Sequence, residues 1–185
     1  MQLTGLLDLL RSSSAYRDLL TRLRGETAMP DLGVIRAARP FLLAALAQEW
    51  SAPIVYITGR VDRAYNVSEQ LPVWLGDRPI YRFAEPTALF YERTSWVENV
   101  IRGRIATLAA LTPPEEIDGA KNLVSTGAQQ PIIITSARAI MQRTMPVNQF
   151  RKATLMLKPG QRHTMDVLLN RWLKLGYEPV SVVVE

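Results

Sequence analysis

The sequence predicts an α/β fold organised around a parallel β-sheet. Two short apolar runs, residues 54–58 and 132–135, have the length of buried strands, and a third run at residues 78–83 lies between them in the chain. Segments with helical periodicity separate the three runs. Because parallel strands need crossover connections, this alternation predicts a parallel sheet that is covered by helices on both faces.

The N-terminal part predicts two amphipathic helices and the first helix of the α/β unit. Residues 3–10 and 15–23 carry apolar positions at helical spacing, and we expect them to pack on the outside of the domain. A strand-like stretch at residues 29–34 then leads into a helix at about residues 39–49. Pro40 suits the first turn of that helix, where its missing N–H costs nothing.

The middle of the chain is mainly helical in pattern. Residues 61–75 have helical periodicity, and the segment after Thr94 is the clearest helix of the sequence. Ser95 and Glu98 have the spacing of a capping box at its start. Residues 112–130 are rich in Pro, Gly and polar side chains and predict a long surface loop. One face of the clearest helix is expected to carry the apolar residues Val97, Ile101, Ile105 and Leu108.

The character of the chain changes after Pro146. Residues 152–162 indicate a strand and a turn, and Thr164 is placed to cap a helix that ends at Gly176. Residues 178–185 form a Val-rich strand pattern, from which we expect the chain to be part of a longer protein. The apolar positions of the capped helix are Met165, Leu168, Leu169, Trp172 and Leu173.

Composition excludes several kinds of site. The chain has 185 residues, no cysteine and one histidine, His163. Disulfides, thiolate metal sites and a Cys nucleophile are therefore excluded, and we expect no metal site and no catalytic residues. No apolar run approaches the roughly 20 residues of a membrane span. Together these features predict a cytoplasmic protein, with His163 in an exposed turn.

The net charge of +5 is unevenly distributed. Residues 138–174, the basic segment, contain eight basic side chains and one acidic side chain, Asp166, for a local net charge of +7. Such a segment can face nucleic acid or an acidic protein surface, and a solvated surface is the third interpretation.

Residues 33–40 have the spacing of a phosphate-binding loop. When G-x-x-x-x-G-K-[ST] is laid on Gly33, Ala38 replaces the second Gly, Arg39 the Lys and Pro40 the Ser/Thr. A working loop wraps phosphate with backbone N–H groups and holds magnesium through its hydroxyl. Pro40 removes both that hydroxyl and one N–H, so we expect no nucleotide hydrolysis and no bound cofactor. On this motif alone, chance spacing is the alternative to a degenerate loop.

A further set of motifs resembles the N-terminal region of the bacterial transcription-repair coupling factors, the Mfd family. The match is loose over residues 84–108, and the resemblance does not extend to residues 1–25. The residues that carry the resemblance are the strand at 132–135, Ser136, Ala137, Met141, Gln142, Arg143, Pro146, Lys158, Gly160, Gln161, Leu175, Gly176 and Tyr177.

The resemblance implies a domain organisation, because that region is homologous to the excision-repair helicase UvrB. It implies a helical extension at residues 1–25, a degenerate RecA-like domain at residues 26–146, and the truncated first part of a small α+β domain at residues 147–185. UvrB carries a working phosphate loop where this chain has residues 33–40. The coupling factors have lost that loop, and this chain agrees with them.

The resemblance also implies a non-catalytic module whose small domain docks UvrA, the damage-sensing ATPase. The whole coupling factor is expected to recognise RNA polymerase stalled at DNA lesions. It would release the polymerase with ATP and magnesium, at a downstream motor that moves along double-stranded DNA. This region would scaffold UvrA docking and its masking by other domains, and further docking arginines are expected beyond Glu185. The candidate partner-binding residues are Lys158, Arg162, Arg171 and Lys174.

Two other functions stay open. A sequence-independent DNA-binding module would use the basic segment, and a UvrB-like ATPase or helicase fragment would need a working site around Arg39. Glu92 and Glu98 have no nucleophile or metal ligand near them in sequence, and we expect no catalytic role for them. Trp172 is expected in the core.

Overall fold

The computed structural model describes residues 4–25, 31–86, 95–112, 130–155, 157 and 159–180. Within these ranges helices and parallel strands alternate, which confirms the predicted α/β class. The strands are β1 (Ile54–Thr58), β2 (Ile80–Phe83) and β3 (Ile132–Ser136). The helices are α1 (Thr4–Ser12), α2 (Ser14–Arg24), α3 (Arg39–Glu49), α4 (Val61–Gln70), α5 (Pro72–Leu75), α6 (Glu98–Leu111), α7 (Ala137–Met141), α8 (Val147–Ala153) and α9 (Met165–Lys174).

The three strands form one parallel sheet in the order β1–β3–β2. Ile132 of β3 is aligned with Ile54 on one side and with Ile80 on the other. The connection from β1 to β2 runs through α4 and α5, and the connection from β2 to β3 includes α6. Because β3 is central, none of its residues is more than 3% exposed. Its β-branched isoleucines suit this doubly covered position.

One face of the sheet packs against α1, α2, α3 and α4. Ile132 and Ile134 belong to this core, which also includes Leu7 of α1 and Tyr16 of α2. The two N-terminal helices lie outermost, as predicted, yet Leu7 is fully buried. Arg11 adds an ion pair across to α3, with 2.7 Å between its Nη2 and Glu49 Oε1. The N-terminal helices are therefore packed into the main core of the domain.

Helix α6 covers the other face of the sheet, and the side of the helix that packs there is not the apolar side noted in the sequence. Val100, Arg104 and Thr107 are buried, whereas Ile101 and Ile105 are 41% and 52% exposed. Arg104 can occupy the inner face because β2, α7 and two aromatic rings supply partners for its guanidinium. The apolar face predicted from Val97, Ile101, Ile105 and Leu108 is thus not the side that packs on the sheet, because Val97, Ile101 and Ile105 are exposed and Leu108 is half-buried.

The predicted capping box at the start of α6 was also wrong. The helix begins at Glu98, and Val97 occupies the N-cap position without a side-chain cap hydrogen bond. Glu98 instead reaches forward by one turn, with 2.6 Å between its Oε1 and Arg102 Nη2. Glu98 is thus engaged in an exposed ion pair, and Ser95 lies outside the helix.

The sheet is not covered on both faces along its whole width. Val55 and Ile57 of the edge strand β1 are 51% and 55% exposed. They lie in register with Ile133 and Thr135 of β3, and thus on the face that α6 covers. Helix α6 packs mainly over β2, so this part of β1 stays open to solvent.

Two predicted strands differ in the structure. Residues 31–35 have no regular structure, so the described part of the stretch at residues 29–34 is not a strand. A strand was predicted to begin at residue 152, but Lys152 and Ala153 are the last two residues of α8. Phe150 of that helix is buried, with 9% of its surface exposed, and this burial stabilises the helix there. The predicted turn does occur, with Gly160 at a φ of 86°.

Helix α9 begins and ends as predicted. Thr164 holds the N-cap position, although its side chain makes no cap hydrogen bond, and Gly176 follows the helix with a φ of 90°. The loop prediction at residues 112–130 and the strand prediction at residues 178–185 fall mostly outside the described residues. In the described ranges, no helix combines the length and the apolar character needed to cross a bilayer.

Candidate functional site

The degenerate loop forms a short 3₁₀ turn at the start of a buried helix. Residues Arg36–Ala38 make the turn, and α3 begins at Arg39 with Pro40 in its first turn, as predicted. Gly33 has no positive φ, and a Cβ added there would meet nothing within 4 Å. Gly33 lies in the irregular stretch at residues 31–35 that leads into the 3₁₀ turn.

A cleft of about 420 Å³ opens beside this turn. The 3₁₀ turn and the start of α3 form one wall, and one side of α4, from Asp62 to Gln70, forms the other. Tyr56 of β1 also lines the cleft. Four arginines contribute to the lining, namely Arg36, Arg39, Arg60 and Arg63. The cleft brings together two segments that the sequence separates, and only Arg39 among the four was singled out from the sequence.

The candidate partner-binding residues fall into three groups. Arg162 and Lys174 are exposed, so both are available to a partner. Arg171 is half-buried and donates from Nη2 to the carbonyl oxygens of Lys152 and Thr154, at 3.0 and 3.2 Å. Lys158 lies outside the described residues. Arg171 therefore holds α9 against the end of α8, and this structural role limits its use by a partner.

A groove of about 540 Å³ separates α6 from α8 and α9. The exposed apolar side of α6 lines it through Ile101 and Ile105, and Trp172 of α9 lines it from the opposite side. Trp172 is only half-buried, and no residue of α9 is fully buried. The core position predicted for Trp172 was thus wrong, since the helix covers one side of an open groove.

A polar network at the carboxyl end of the sheet was not anticipated from the sequence. The Oγ of Ser136, at the end of β3, hydrogen-bonds to Glu85 Oε2 and accepts from the N–H of Ala139 at 3.1 Å. Glu85 Oε1 lies 3.1 Å from Arg138 Nη1. The spacing of Ser136 before α7 was a visible N-cap signal. Glu85 follows β2, and only the sheet order brings it beside β3.

Arg104 completes this network from α6. It is 4% exposed, and its Nη1 donates to the carbonyl oxygens of Ala84 and Ala139, both at 3.1 Å. Its guanidinium carbon also lies 5.0 Å from the centroid of the Trp96 ring. Burial lowers the pKa of Arg104, but an arginine remains charged at neutral pH. The network therefore ties α6, α7 and the strand ends together.

The lone histidine is placed as predicted. His163 is exposed, and its Nε2 lies 3.2 Å from Gln161 Oε1 in the turn before α9. Over the described ranges, no three His, Asp or Glu side chains cluster in a way that could hold a metal ion.

Comparison of the sequence with those of known proteins finds two similar proteins, both transcription-repair coupling factors. No protein-family model matches the chain. The transcription-repair coupling factor of Bacillus subtilis (strain 168) is 26% identical over 151 residues, which are 82% of this chain and 12% of the relative. That of Escherichia coli (strain K12) is 25% identical over 149 residues, which are 80% of this chain and 12% of the relative. The comparisons confirm the predicted resemblance: this chain is similar to a segment of the transcription-repair coupling factors.

Proposed function

We propose that this chain is a non-catalytic, protein-docking module of a transcription-repair coupling factor. The observation that carries the proposal is its similarity to two such factors over 82% and 80% of its length. The whole coupling factor would detect RNA polymerase stalled at a DNA lesion, release it by an ATP-driven motor elsewhere in its sequence, and recruit UvrA. This module would scaffold the docking of UvrA and the masking of the docking surface.

The geometry of the degenerate loop supports a role without nucleotide hydrolysis. Pro40 lies in the first turn of α3, where a working loop needs a hydroxyl for magnesium and a backbone N–H for phosphate. Glu85, a carboxylate at the carboxyl edge of the sheet, is already bound by Ser136 and Arg138. We therefore expect no magnesium-dependent ATP binding at micromolar concentrations. Such binding, abolished by Arg39→Ala, would contradict the proposal.

The exposed basic residues around α9 support a docking surface for an acidic partner. Arg162 and Lys174 are the two described candidates with exposed side chains. We expect the variant R162E/K174E to bind purified UvrA several-fold more weakly in biolayer interferometry, because two favourable charges are reversed. The matched control R17E/R102E changes the same net charge at two exposed arginines elsewhere. Equal binding of UvrA by both variants and the wild type would contradict this placement.

A sequence-independent DNA contact is the second candidate, because the basic segment carries a net charge of +7. This function predicts that log K falls linearly with log salt concentration, with a slope of about −0.9 for each phosphate contacted. Fluorescence anisotropy with a labelled duplex at increasing salt distinguishes the two functions. Absence of duplex binding at low salt would exclude the DNA-binding function.

A further inference from the structure

The cleft between the 3₁₀ turn, the start of α3 and α4 carries an excess of positive charge. Of the described residues that line it, four are arginines and one, Asp62, is acidic. Asp62 is bound to one of the four, with 2.9 Å between its Oδ1 and Arg60 Nε. This contact lowers the pKa of Asp62 and raises that of Arg60. One guanidinium is thus balanced locally, and among the described lining residues the other three have no carboxylate to balance them.

The donor groups of these arginines are largely unused within the described residues. Arg39 donates from Nε to the carbonyl oxygen of Val34 at 3.4 Å, a long and weak contact. The side chains of Arg36 and Arg63 make no hydrogen bond or ion pair to the part of the chain that the structure describes. Arg36 is exposed and Arg63 half-buried. Within the described residues, repulsion among these cations is therefore relieved by solvent, and an anion that enters the cleft would relieve it further.

Neutral donors extend the same surface along α4. Asn66 and Gln70 follow Arg63 by one and two turns, and all three line the cleft. Tyr56, in the middle of the edge strand β1, contributes a half-buried ring and a hydroxyl group. The start of α3 adds the positive end of its helix dipole to the same wall. Guanidinium, amide and hydroxyl groups on two walls form a surface of hydrogen-bond donors that suits several acceptor oxygens at once.

From this arrangement we infer that the cleft binds a small phosphate-class anion with two or more negative charges, without magnesium. The guanidinium fork matches the oxygens of a phosphate group in a bidentate way. The cleft volume of about 420 Å³ falls within the range of small-ligand sites. Because the arginines are partly solvated, their desolvation costs little and binding is expected to be salt-sensitive. The inference goes beyond the proposed docking function and does not depend on it.

The test uses isothermal titration of the whole chain with inorganic pyrophosphate, in low salt with EDTA present. Saturable binding is expected for the wild type, and raising the salt concentration is expected to weaken it. The variant R36Q/R63Q keeps the side-chain stems but removes two charges, and it should bind about tenfold more weakly. R17Q/R102Q is the matched control with the same change in net charge at arginines outside the cleft, and it should bind as the wild type does.

Each result decides the inference. No saturable binding of pyrophosphate to a folded wild type, checked by circular dichroism, would overturn it. Equal weakening by both double variants would also overturn it, because the effect would then be general electrostatic attraction. Parallel titrations with ADP and with a short single-stranded oligonucleotide show whether the bound phosphate belongs to a small anion, a nucleotide or a nucleic acid. Tight binding of the oligonucleotide without binding of pyrophosphate would replace the small anion with nucleic acid.

Discussion

The guanidinium carbon of Arg104 lies 3.9 Å from the centroid of the Phe83 ring, so a buried cation of α6 rests on the end of strand β2. The same guanidinium donates to the carbonyl oxygens of Ala84 and Ala139. These contacts place a charged residue on the side of α6 that packs against the sheet. Helix α6 is therefore attached to the sheet by hydrogen bonds and ring contacts as well as by apolar burial.

Replacing Arg104 by alanine is expected to lower the free energy of unfolding by about 3 kcal/mol, because two buried carbonyl oxygens lose a charged donor and a cavity is left. Arg104→Met should cost less, since it refills the space with apolar atoms. Urea unfolding followed by circular dichroism measures both changes. Arg102→Ala, at an exposed arginine of the same helix, is the control and should change stability by less than about 1 kcal/mol. A similar loss in R102A and R104A would contradict the assigned role.

Ser136→Ala is expected to lower stability by about 1–2 kcal/mol. The substitution removes the cap on the N–H of Ala139 and the hydrogen bond to Glu85. Thermal unfolding provides the measurement. Ser13→Ala is a matched control, because Ser13 holds the N-cap position of α2 without a side-chain cap hydrogen bond. If S13A costs as much as S136A, the cap and the Glu85 contact do not explain the effect.

Replacing a glycine by alanine within a helix usually raises the free energy of unfolding by roughly 1 kcal/mol. For Gly103→Ala we expect none of this gain. A Cβ at Gly103 would lie 3.3 Å from the carbonyl oxygen of Arg82, in the backbone of β2, so helix and sheet must separate slightly. Gly5→Ala in α1 is the control, since a Cβ there would meet nothing within 4 Å. Chemical denaturation should therefore give a more favourable change for G5A than for G103A, and the opposite order would contradict the close approach.

Tyr16→Phe is expected to reduce the loss of stability at alkaline pH. Burial, and next the Glu49 carboxylate, raise the pKa of Tyr16 above its ordinary value of 10.0. The unfolded chain therefore releases this proton first, so the stability contribution is complete below about pH 10 and falls as the pH rises toward the folded pKa. The Tyr16 hydroxyl has no hydrogen-bond partner among the described residues, so Y16F should cost little at neutral pH.

Unfolding curves of the wild type and Y16F between about pH 8 and pH 11 make the comparison. The difference in stability between the two proteins isolates Tyr16 from the other tyrosines, because these titrate equally in both. A difference that stays constant across this range would show that Tyr16 does not titrate as expected.

Local sequence features predicted most of the helices and strands, but they did not predict which side of every helix is buried. The Pro40 signal placed the start of α3, and the isoleucine run of β3 predicted the central strand. The side of α6 could not be predicted, because hydropathy assigns an arginine to solvent. Arg104 is buried only because the carbonyl oxygens of Ala84 and Ala139 lie within reach.

The candidate site was predictable to a smaller extent. The substitutions at Ala38, Arg39 and Pro40 are visible in the sequence and bear on phosphate chemistry directly. The basic cleft is not visible there, because Arg36 lies in the 3₁₀ turn and Arg63 in α4, and only the fold brings the two segments to the same cleft. The structural role of Arg171 was equally hidden, since its acceptors are backbone carbonyl oxygens of another element.

The sequence by itself determined the strand–helix alternation, the loss of the hydroxyl and N–H at Pro40, and the resemblance to the coupling factors. These properties depend on residue type and spacing along the chain. Tertiary structure alone decided that α6 buries Arg104, that Val55 and Ile57 lie open on β1, and that four arginines and a single carboxylate of the described residues share one cleft. The physical reason is that burial and charge balance depend on groups from distant segments, whose positions are set by how the helices pack on the sheet.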